Sequence, residues 1–211
     1  MRHALVAAKY AVVVAALAVL TMPHVAWAQP APATAPPAAI SFYNDGVRKF
    51  RAGDLEGAIA AFDKAVEAFP EYWKAFSSRG VAKRDKKDLD GALHDYARSI
   101  QINPQNPGAY SNRGVVLSDK GDFDGALADY ATALTLDPQD HWTYNNRGAI
   151  RADRNDLAGA LADFNAALAI RPDYAEALLN RSVVKRKNGD LAGAGADRAR
   201  AIALNPKLAT P

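Results

Sequence analysis

The chain contains no cysteine. This absence excludes disulfide bonds and thiolate metal sites, as well as the bacterial type of lipid anchor, which is attached to a cysteine. Histidine is also scarce, with four residues in a chain of 211. The sequence motifs of zinc hydrolases, serine hydrolases and nucleotide-binding loops do not occur. We therefore predict that the protein is not an enzyme and that it has no cofactor and no metal site.

There is little excess charge of either sign, with 26 Lys and Arg residues against 23 Asp and Glu residues. A nucleic-acid-binding protein usually carries a concentrated basic face. In this chain, residues of opposite sign alternate instead. The composition therefore predicts no nucleic-acid partner.

The N-terminus has the pattern of an export signal. Arg2 and Lys9 provide positive charge, an apolar run follows at 11–20, and an Ala-x-Ala motif ends at Ala28. This order is typical of a cleavable secretory signal. The alternative is an uncleaved anchor, but the run is about half of the ~20 residues that span a bilayer. We predict a signal peptide at 1–28 that is cut after Ala28, a periplasmic or secreted protein, and no membrane span after cleavage.

Residues 29–38 form a segment rich in proline and alanine, which we expect not to build a helix. Its prolines are Pro30, Pro32, Pro36 and Pro37. Such composition predicts a semi-rigid, extended linker. A proline-rich ligand is the alternative, and a simple tether is the interpretation that we prefer.

The rest of the chain is a segment of 34 residues that occurs five times, without insertion or deletion. The predicted repeats are 39–72, 73–106, 107–140, 141–174 and 175–208. A proline stands near the end of each repeat, at Pro70, Pro104, Pro138, Pro172 and Pro206. A fixed period of this length is typical of stacked-repeat proteins.

Each repeat has two apolar-periodic stretches separated by a tight turn, which predicts a helix, a turn and a second helix. The sixteenth residue is always Asp, which suits the N-cap of the second helix. The eighth residue is small, and the fourth and twenty-fourth are aromatic in the first four repeats, so we expect close helix contact beside bulky side chains. The nineteenth residue is always Gly. Either a close contact or descent of the repeats by duplication would account for this glycine.

The combination of aromatic, Gly, Ala, aromatic, Ala and Pro in each block resembles the tetratricopeptide repeat family. The stretch at 110–138, YSNRGVVLSDKGDFDGALADYATALTLDP, carries the resemblance most clearly. The resemblance implies an all-α, right-handed α-solenoid of five helix-turn-helix repeats over 39–208. The fifth repeat departs from the pattern, because Leu178 and Arg198 replace the aromatic pair. We predict that it acts as a polar cap on the stack.

Proteins of this family line a concave groove with their first helices and hold a peptide or a partner's helix in it. The resemblance places these residues in the groove: Tyr43, Phe50, Lys74, Arg84, Ser111, Asn112, Asp119, Trp142, Asn145, Asn146, Asp153, Asn180, Arg186 and Lys187. An aromatic entrance and a basic far end are expected, with an acidic middle formed by Asp119, Asp140 and Asp153.

Repeats two to five also carry an Arg at the seventh position and an Asp at the twenty-third. The predicted ion pairs are Arg79 with Asp95, Arg113 with Asp129, Arg147 with Asp163, and Arg181 with Asp197. Because Arg and carboxylates form well-oriented bidentate pairs, we expect a structural role, with ligand chemistry as the alternative.

The function predicted from the sequence is that of a non-enzymatic interaction scaffold for a protein or peptide partner. The alternative is a self-associating structural protein of the cell envelope.

Overall fold

A computed structural model describes residues 34–209 of the chain. The chain divides into the units Met1–Thr34 and Ala35–Pro211, and all of the described helices belong to the second. The predicted signal peptide and the first half of the predicted linker, residues 29–33, lie outside the described residues.

The described residues form ten α-helices and a short final 3-10 helix, with no strand among them. The helices are α1 (Pro37–Arg51), α2 (Leu55–Ala68), α3 (Trp73–Asp85), α4 (Leu89–Ile102), α5 (Pro107–Asp119), α6 (Phe123–Leu136), α7 (His141–Asp153), α8 (Leu157–Ile170), α9 (Ala175–Lys187) and α10 (Leu191–Leu204). The 3-10 helix is Pro206–Ala209. The all-α prediction is confirmed. Within the described part of the chain, no helix has the length and apolar character needed to cross a membrane.

Helix α1 begins at Pro37, inside the segment predicted as linker. Proline is favoured at the first position of a helix, because the missing N–H would have no partner there and the fixed φ suits the helix. The extended residue before it, Pro36, has a φ of −62°. Proline therefore starts this helix, although its abundance in 29–38 predicts an extended segment.

Each second helix is capped by the predicted aspartate. The carboxylates of Asp54, Asp88, Asp122, Asp156 and Asp190 accept a hydrogen bond from the N–H group three residues on, at 2.8 to 3.0 Å. The donor is the glycine at the nineteenth position of each repeat. A Cβ atom on Gly57 would lie 2.0 Å from Oδ2 of Asp54, and the other four repeats give 2.1 to 2.5 Å. The structure supports close contact as the reason for this glycine, which leaves room for the capping carboxylate.

A single residue in left-handed conformation ends the turn between the two helices of each repeat. It is glycine in three repeats, with φ of 81° at Gly53, 83° at Gly121 and 85° at Gly189. Lys87 and Asn155 occupy the same place in the second and fourth repeats, with φ of 70° and 62°. Residues other than glycine are unfavourable in this region because of their Cβ atoms.

The two helices of a repeat approach closely where an aromatic ring meets a glycine. In the first four repeats a Cβ on that glycine would lie only 2.6 to 2.9 Å from the ring, and the rings are at most 1% exposed. The pairs are Gly46 with Phe62, Gly80 with Tyr96, Gly114 with Tyr130, and Gly148 with Phe164. In the fifth repeat the aromatic ring is replaced by the exposed Arg198, and the glycine is replaced by Ser182. A side chain thus stands at the eighth position only in the repeat that lacks the ring.

Each pair of neighbouring repeats shares core clusters of buried side chains. The tenth residue of each later repeat is buried against the preceding second helix, as Ala82 is against Ala58 and Phe62. Its equivalents Val116, Ile150 and Val184 are at most 5% exposed. In α1 the same position holds Arg48, whose side chain is 78% exposed. The first repeat therefore presents a polar surface where a preceding repeat would stack.

The last repeat is less polar than predicted. Arg198 and Arg200 on α10 are exposed, as expected of a cap. However, Leu191 is 69% exposed and Leu204 is 45% exposed, because no further helix pair stacks on α10 within the described chain. The prediction of a polar cap is therefore correct only in part.

Candidate functional site

The five first helices lie on the inner side of the stack. Contacts join α1 to α3, α3 to α5, α5 to α7 and α7 to α9. Among the described helices, the second helices of the repeats make no such contacts with one another. The repeats are therefore closer together along their first helices, and the stack curves around them. The candidate groove is the exposed face of α1, α3, α5, α7 and α9.

Some residues of the predicted groove form hydrogen bonds between neighbouring first helices. Ser111 and Thr143 share a hydrogen bond of 2.5 Å between their hydroxyl groups. The amide Nδ2 of Asn180 donates to Oδ1 of Asn145 at 3.0 Å, and the hydroxyls of Ser78 and Tyr43 are 3.5 Å apart. These contacts hold adjacent repeats in register.

One residue assigned to the groove has a mainly structural role instead. Asn145 is only 7% exposed and its amide oxygen is taken by Asn180, so its assignment was wrong. Phe50 is half-buried and packs against the core cluster of Ala58, Phe62 and Ala82, as Tyr43 does. Its assignment to the groove stays a prediction.

An open pocket of about 510 Å³ lies at the first-repeat end of the groove. Its lining comes entirely from α1, with Tyr43, Asn44, Val47, Arg48 and Arg51. The ring of Tyr43 packs on Phe62 and Tyr72, with centroids 5.8 and 5.2 Å away. The predicted aromatic entrance is therefore one tyrosine face beside two arginines.

Trp142 is the most exposed aromatic side chain of the inner face, with 51% of its surface accessible. Its ring meets that of Tyr174 edge-on, at 4.9 Å between centroids, and that of His141 at 5.3 Å. Tyr174 is only 2% exposed, so its buried ring is a rigid support for the ring of Trp142. Burial raises the pKa of the Tyr174 hydroxyl, so it stays neutral at physiological pH.

The charged residues of the predicted groove divide into paired and unpaired groups. Arg84 contacts the neighbouring Asp85 at 3.1 Å, and Lys74 lies 5.4 Å from the centre of the Trp73 ring. Four others are exposed and form no ion pair within the described chain: Asp119, Asp153, Arg186 and Lys187. These four are open to solvent and to a partner.

Asp140 does not belong to the acidic middle of the groove. It is the N-cap of α7, and its carboxylate accepts from the backbone of Trp142 and Thr143 and from the Thr143 hydroxyl. Because this carboxylate caps its own helix, Asp140 is not available as an acidic group of the groove. The expectation of an acidic middle that includes Asp140 was therefore wrong. Asn112 and Asn146 are half-buried, and their side chains form no hydrogen bond with the described residues.

All four arginines at the seventh position are paired with the aspartate assigned to them. In each pair two guanidinium nitrogens contact two carboxylate oxygens, at 2.5 to 3.0 Å. Asp95 is fully buried and the other three aspartates are at most 7% exposed. The guanidinium groups also lie near the aromatic ring of the fourth residue in three repeats, at Phe76, Tyr110 and Tyr144.

The sequence interpretation missed further members of this network. A second cation, one turn after the arginine, contacts the same aspartate in three repeats: Lys83 at 2.9 Å, Arg151 at 2.8 Å and Lys185 at 2.9 Å. The spacing of four residues between the two cations was the available signal, since residues four apart share a helix face. In the third repeat this position is Leu117, so Asp129 has only Arg113.

Some of the missed contacts join neighbouring repeats. Arg79 also contacts Asp63 of the first repeat at 2.6 Å, and Arg181 contacts Asn165 of the fourth at 2.7 Å. Burial lowers the pKa of Arg79, but its bonds to Asp95 and Asp63 outweigh burial, and the net pKa is raised. The network is thus a set of satisfied charges that ties helices together. Within the described residues no group of His, Asp and Glu side chains is arranged to hold a metal ion.

The geometry defines a class of protein, a helix-turn-helix solenoid with an open inner face. Family comparison agrees, because residues 43–109 and residues 107–140 match families described as tetratricopeptide repeat. No curated protein matches the sequence.

Several solved structures share the fold. YrrB, described as a TPR protein with an unusual peptide-binding site, is 24% identical with a TM-score of 0.65, over 81% of this chain and 89% of its own. PilW, described as a type IV pilus biogenesis factor, is 20% identical with a TM-score of 0.74, over 81% of this chain and 79% of its own. MamA from Desulfovibrio magneticus RS-1 is 16% identical with a TM-score of 0.72, over 82% of this chain and 98% of its own.

The chain contains tetratricopeptide repeats over residues 43–140, which match models of that family, and its ten described helices have the fold that these structures share. Such proteins are in general scaffolds rather than enzymes.

Proposed function

We propose that this protein is a non-enzymatic scaffold whose inner groove holds a peptide or a helix of a partner protein. The observation that carries the proposal is Trp142, which is 51% exposed on the inner face and is supported by Tyr174. Exposed aromatic side chains on a rigid support are frequent anchors of protein interfaces. The description of YrrB as a peptide-binding TPR protein supports the same use of this fold.

The proposed location is the periplasm or the exterior of the cell, and the proposed partners are proteins of that compartment. The support is the N-terminal order of charge, apolar run and Ala-x-Ala motif. Mass spectrometry of the exported protein tests this proposal. We expect the protein in the exported fraction, with a mature N-terminus at Gln29. Recovery of the protein only in the cytoplasmic fraction would contradict the location, and an intact N-terminus in the exported fraction would contradict cleavage.

Capture of partners by Trp142→Ala, compared with the wild-type protein, tests the binding function. Phe123→Ala is the matched control, since Phe123 is 39% exposed but lies on a second helix, α6. We expect proteins captured from a periplasmic extract by the wild type to be lost with Trp142→Ala and kept with Phe123→Ala. Retention by both variants would show that the inner aromatic face is not the binding site.

Self-association is the second candidate, and the exposed Leu191 and Leu204 of α10 favour it. End-to-end stacking would require α1 of the next copy to cover them, but α1 presents Ser41 and Arg48 there. Light scattering over a concentration series distinguishes self-association from a monomeric scaffold. A mass that rises with concentration in the wild type but not in Leu191→Ser/Leu204→Ser would favour self-association.

A further inference from the structure

One face of the last long helix, α10, is left uncovered, since no further repeat of the described chain stacks on it. Leu191, Gly195, Arg198 and Ile202 follow one another at a spacing of three or four residues, so they lie on the same side of the helix. Leu191 is 69% exposed, Gly195 and Arg198 are exposed, and Ile202 is half-buried. We call these four residues the outer face of α10.

The equivalent face of every other second helix is covered by the first helix of the next repeat. In the fourth repeat, Phe164 forms a buried cluster with Val184 of α9, and Leu157 and Leu161 pack beside them. The helices α2, α4 and α6 are covered in the same way by α3, α5 and α7. The structure thus shows four times what this face accepts, which is an α-helix with its tenth-position side chain against the ring.

The fifth repeat differs from the others at two positions of this face. Arg198 replaces the buried aromatic ring, and it forms no ion pair and no hydrogen bond with the described residues. Gly195 replaces a large apolar side chain, which is Ile59, Leu93, Leu127 or Leu161 in the other repeats. A Cβ on Gly195 would meet no atom within 4 Å, although glycine is unfavourable inside a helix. No contact within the described chain therefore accounts for this glycine.

A purely solubilising role does not explain the composition of the outer face. Arg198 alone would make this end of the stack polar, but Leu191 and Ile202 lie on either side of it along the helix. Exposure of the large Leu191 side chain to water is unfavourable. The face therefore combines apolar side chains, an open space and one unpaired positive charge.

We propose that the outer face of α10 docks an α-helix of a partner protein, with an Asp or Glu side chain of that helix over Arg198. Large apolar residues of the partner, three, four or seven positions from the carboxylate, share its helix face and cover Leu191 and Ile202. Gly195 lets the backbone of the partner helix approach closely. This surface is separate from the inner groove, so the inference goes beyond the proposed function.

Charge complementarity selects an acidic helix over a second copy of this chain. In end-to-end stacking, the tenth residue of α1 would take the place that Val184 has on α8, and that residue is Arg48. Arg48 would then face Arg198. Two copies of α10 packed face to face would likewise bring two Arg198 side chains together. Like charges placed opposite one another oppose association, whereas a carboxylate gives Arg198 the opposite charge that it lacks.

Selection from a random peptide library displayed on phage, with the full-length protein as target, tests the inference. We expect peptides that depend on Arg198 to carry Asp or Glu, with large apolar residues at helical spacing. Their affinity should fall about tenfold in Arg198→Glu at low salt. Exchange of the peptide's Asp or Glu for Lys should restore binding to that variant. Arg200→Glu is the control, since Arg200 lies on the same helix but donates to the Pro172 carbonyl, and the affinity should be nearly unchanged.

A second measurement separates docking from a structural role. Gly195→Leu introduces the leucine that three other repeats carry at this position. It should raise the melting temperature of the free protein, because leucine has the higher helix propensity. It should also weaken the selected peptides, because the side chain blocks the close approach of a helix. A lower melting temperature in Gly195→Leu or Arg198→Glu would mean that these residues serve folding, and the inference would be overturned.

The outcomes also separate this inference from the proposed function. Peptides that all depend on Trp142 and never on Arg198 would overturn the inference and leave the groove standing. Peptides that depend on Arg198 and never on Trp142 would support the inference and count against the groove. A dimer of the wild type that dissociates in Arg198→Glu would make a second copy the occupant, against our proposal. Arg198-dependent binding to phosphatidylglycerol vesicles, with no Arg198-dependent peptide, would make an anionic lipid surface the ligand, also against it.

Discussion

In the third repeat, a Cβ atom on Gly114 would lie 2.6 Å from Cε1 of Tyr130. The glycine of α5 therefore lets the aromatic ring of α6 lie directly on the helix backbone. Tyr130 is 1% exposed in this position. The same contact recurs in four repeats, so it sets the distance between the two helices of the fold's basic unit.

Substitution of this glycine should overpack the helix pair. We expect Gly114→Ala to destabilise the protein by about 1–3 kcal/mol, because the ring or the backbone must move. Gly108→Ala is the control, since a Cβ there would meet only Asn106 Oδ1 at 3.5 Å and alanine has the higher helix propensity. Urea denaturation followed by circular dichroism gives both values. Equal stability of the two variants would show that the ring moves aside without cost.

Removal of Arg113 should be more damaging than removal of the equivalent Arg147. Asp129 has no other cation, whereas Asp163 keeps Arg151 at 2.8 Å. Loss of one member of a buried pair leaves an uncompensated charge and costs about 3 kcal/mol or more. Arg113→Ala should therefore lower the free energy of unfolding by about this amount, and Arg147→Ala by less. Both are measured by chemical denaturation.

The double variant Arg113→Ala/Asp129→Ala provides the control for this pair. It removes the stranded carboxylate and should recover part of the lost stability. An unchanged melting temperature in Arg113→Ala would contradict a structural role for the pair.

The ion pairs should make stability depend on pH in acid. Burial raises the pKa of Asp197, but hydrogen bonds from Arg181 and Lys185 outweigh it, and the folded-state pKa is below the ordinary value. The contribution of Asp197 is therefore fully present above about pH 4. It is lost as the pH falls through the folded-state pKa. The melting temperature of the wild type should exceed that of Asp197→Asn at neutral pH, and the difference should shrink in acid. A difference that grows as the pH falls would contradict this assignment.

Replacement of Lys87 with glycine in the turn of the second repeat should stabilise the protein. Lys87 has a φ of 70°, where a Cβ atom costs about 1–2 kcal/mol. We expect Lys87→Gly to raise the free energy of unfolding by about 0.5–1 kcal/mol, after the entropy of the unfolded chain is included. Thermal denaturation gives the sign. Lys86→Gly is the control, because Lys86 has a φ of −78° and glycine relieves no strain there. A higher free energy of unfolding in both variants would refute the conformational explanation.

Local features were predictable because their causes lie within a few residues of one another. Asp122 caps α6 through the N–H group three residues on, and a contact of this kind depends only on the local chain. The pairing of Arg113 with Asp129 spans one helix-turn-helix unit, and its register follows from the repeat length. The presence of glycine at the nineteenth position was visible, but its reason required the rotamer of the capping carboxylate.

The openness of the inner face was not predictable in the same way. Asn145 and Trp142 lie on the same helix and were both assigned to the groove, yet one is 7% exposed and the other 51%. The difference arises from the neighbouring repeat, whose Asn180 covers Asn145. Asp140 was assigned to the acidic middle of the groove for a similar reason, since its role as the N-cap of α7 depends on the start of that helix.

The sequence by itself determined the repeat, the helix pairs, the caps and the ion pairs, because each follows from residue types at short or periodic separations. Only the tertiary structure decided which inner side chains remain open and which charges find no partner. Exposure and charge pairing depend on the repeats on either side, and the stack brings together residues that are more than thirty positions apart in the chain, as Ser111 and Thr143 show.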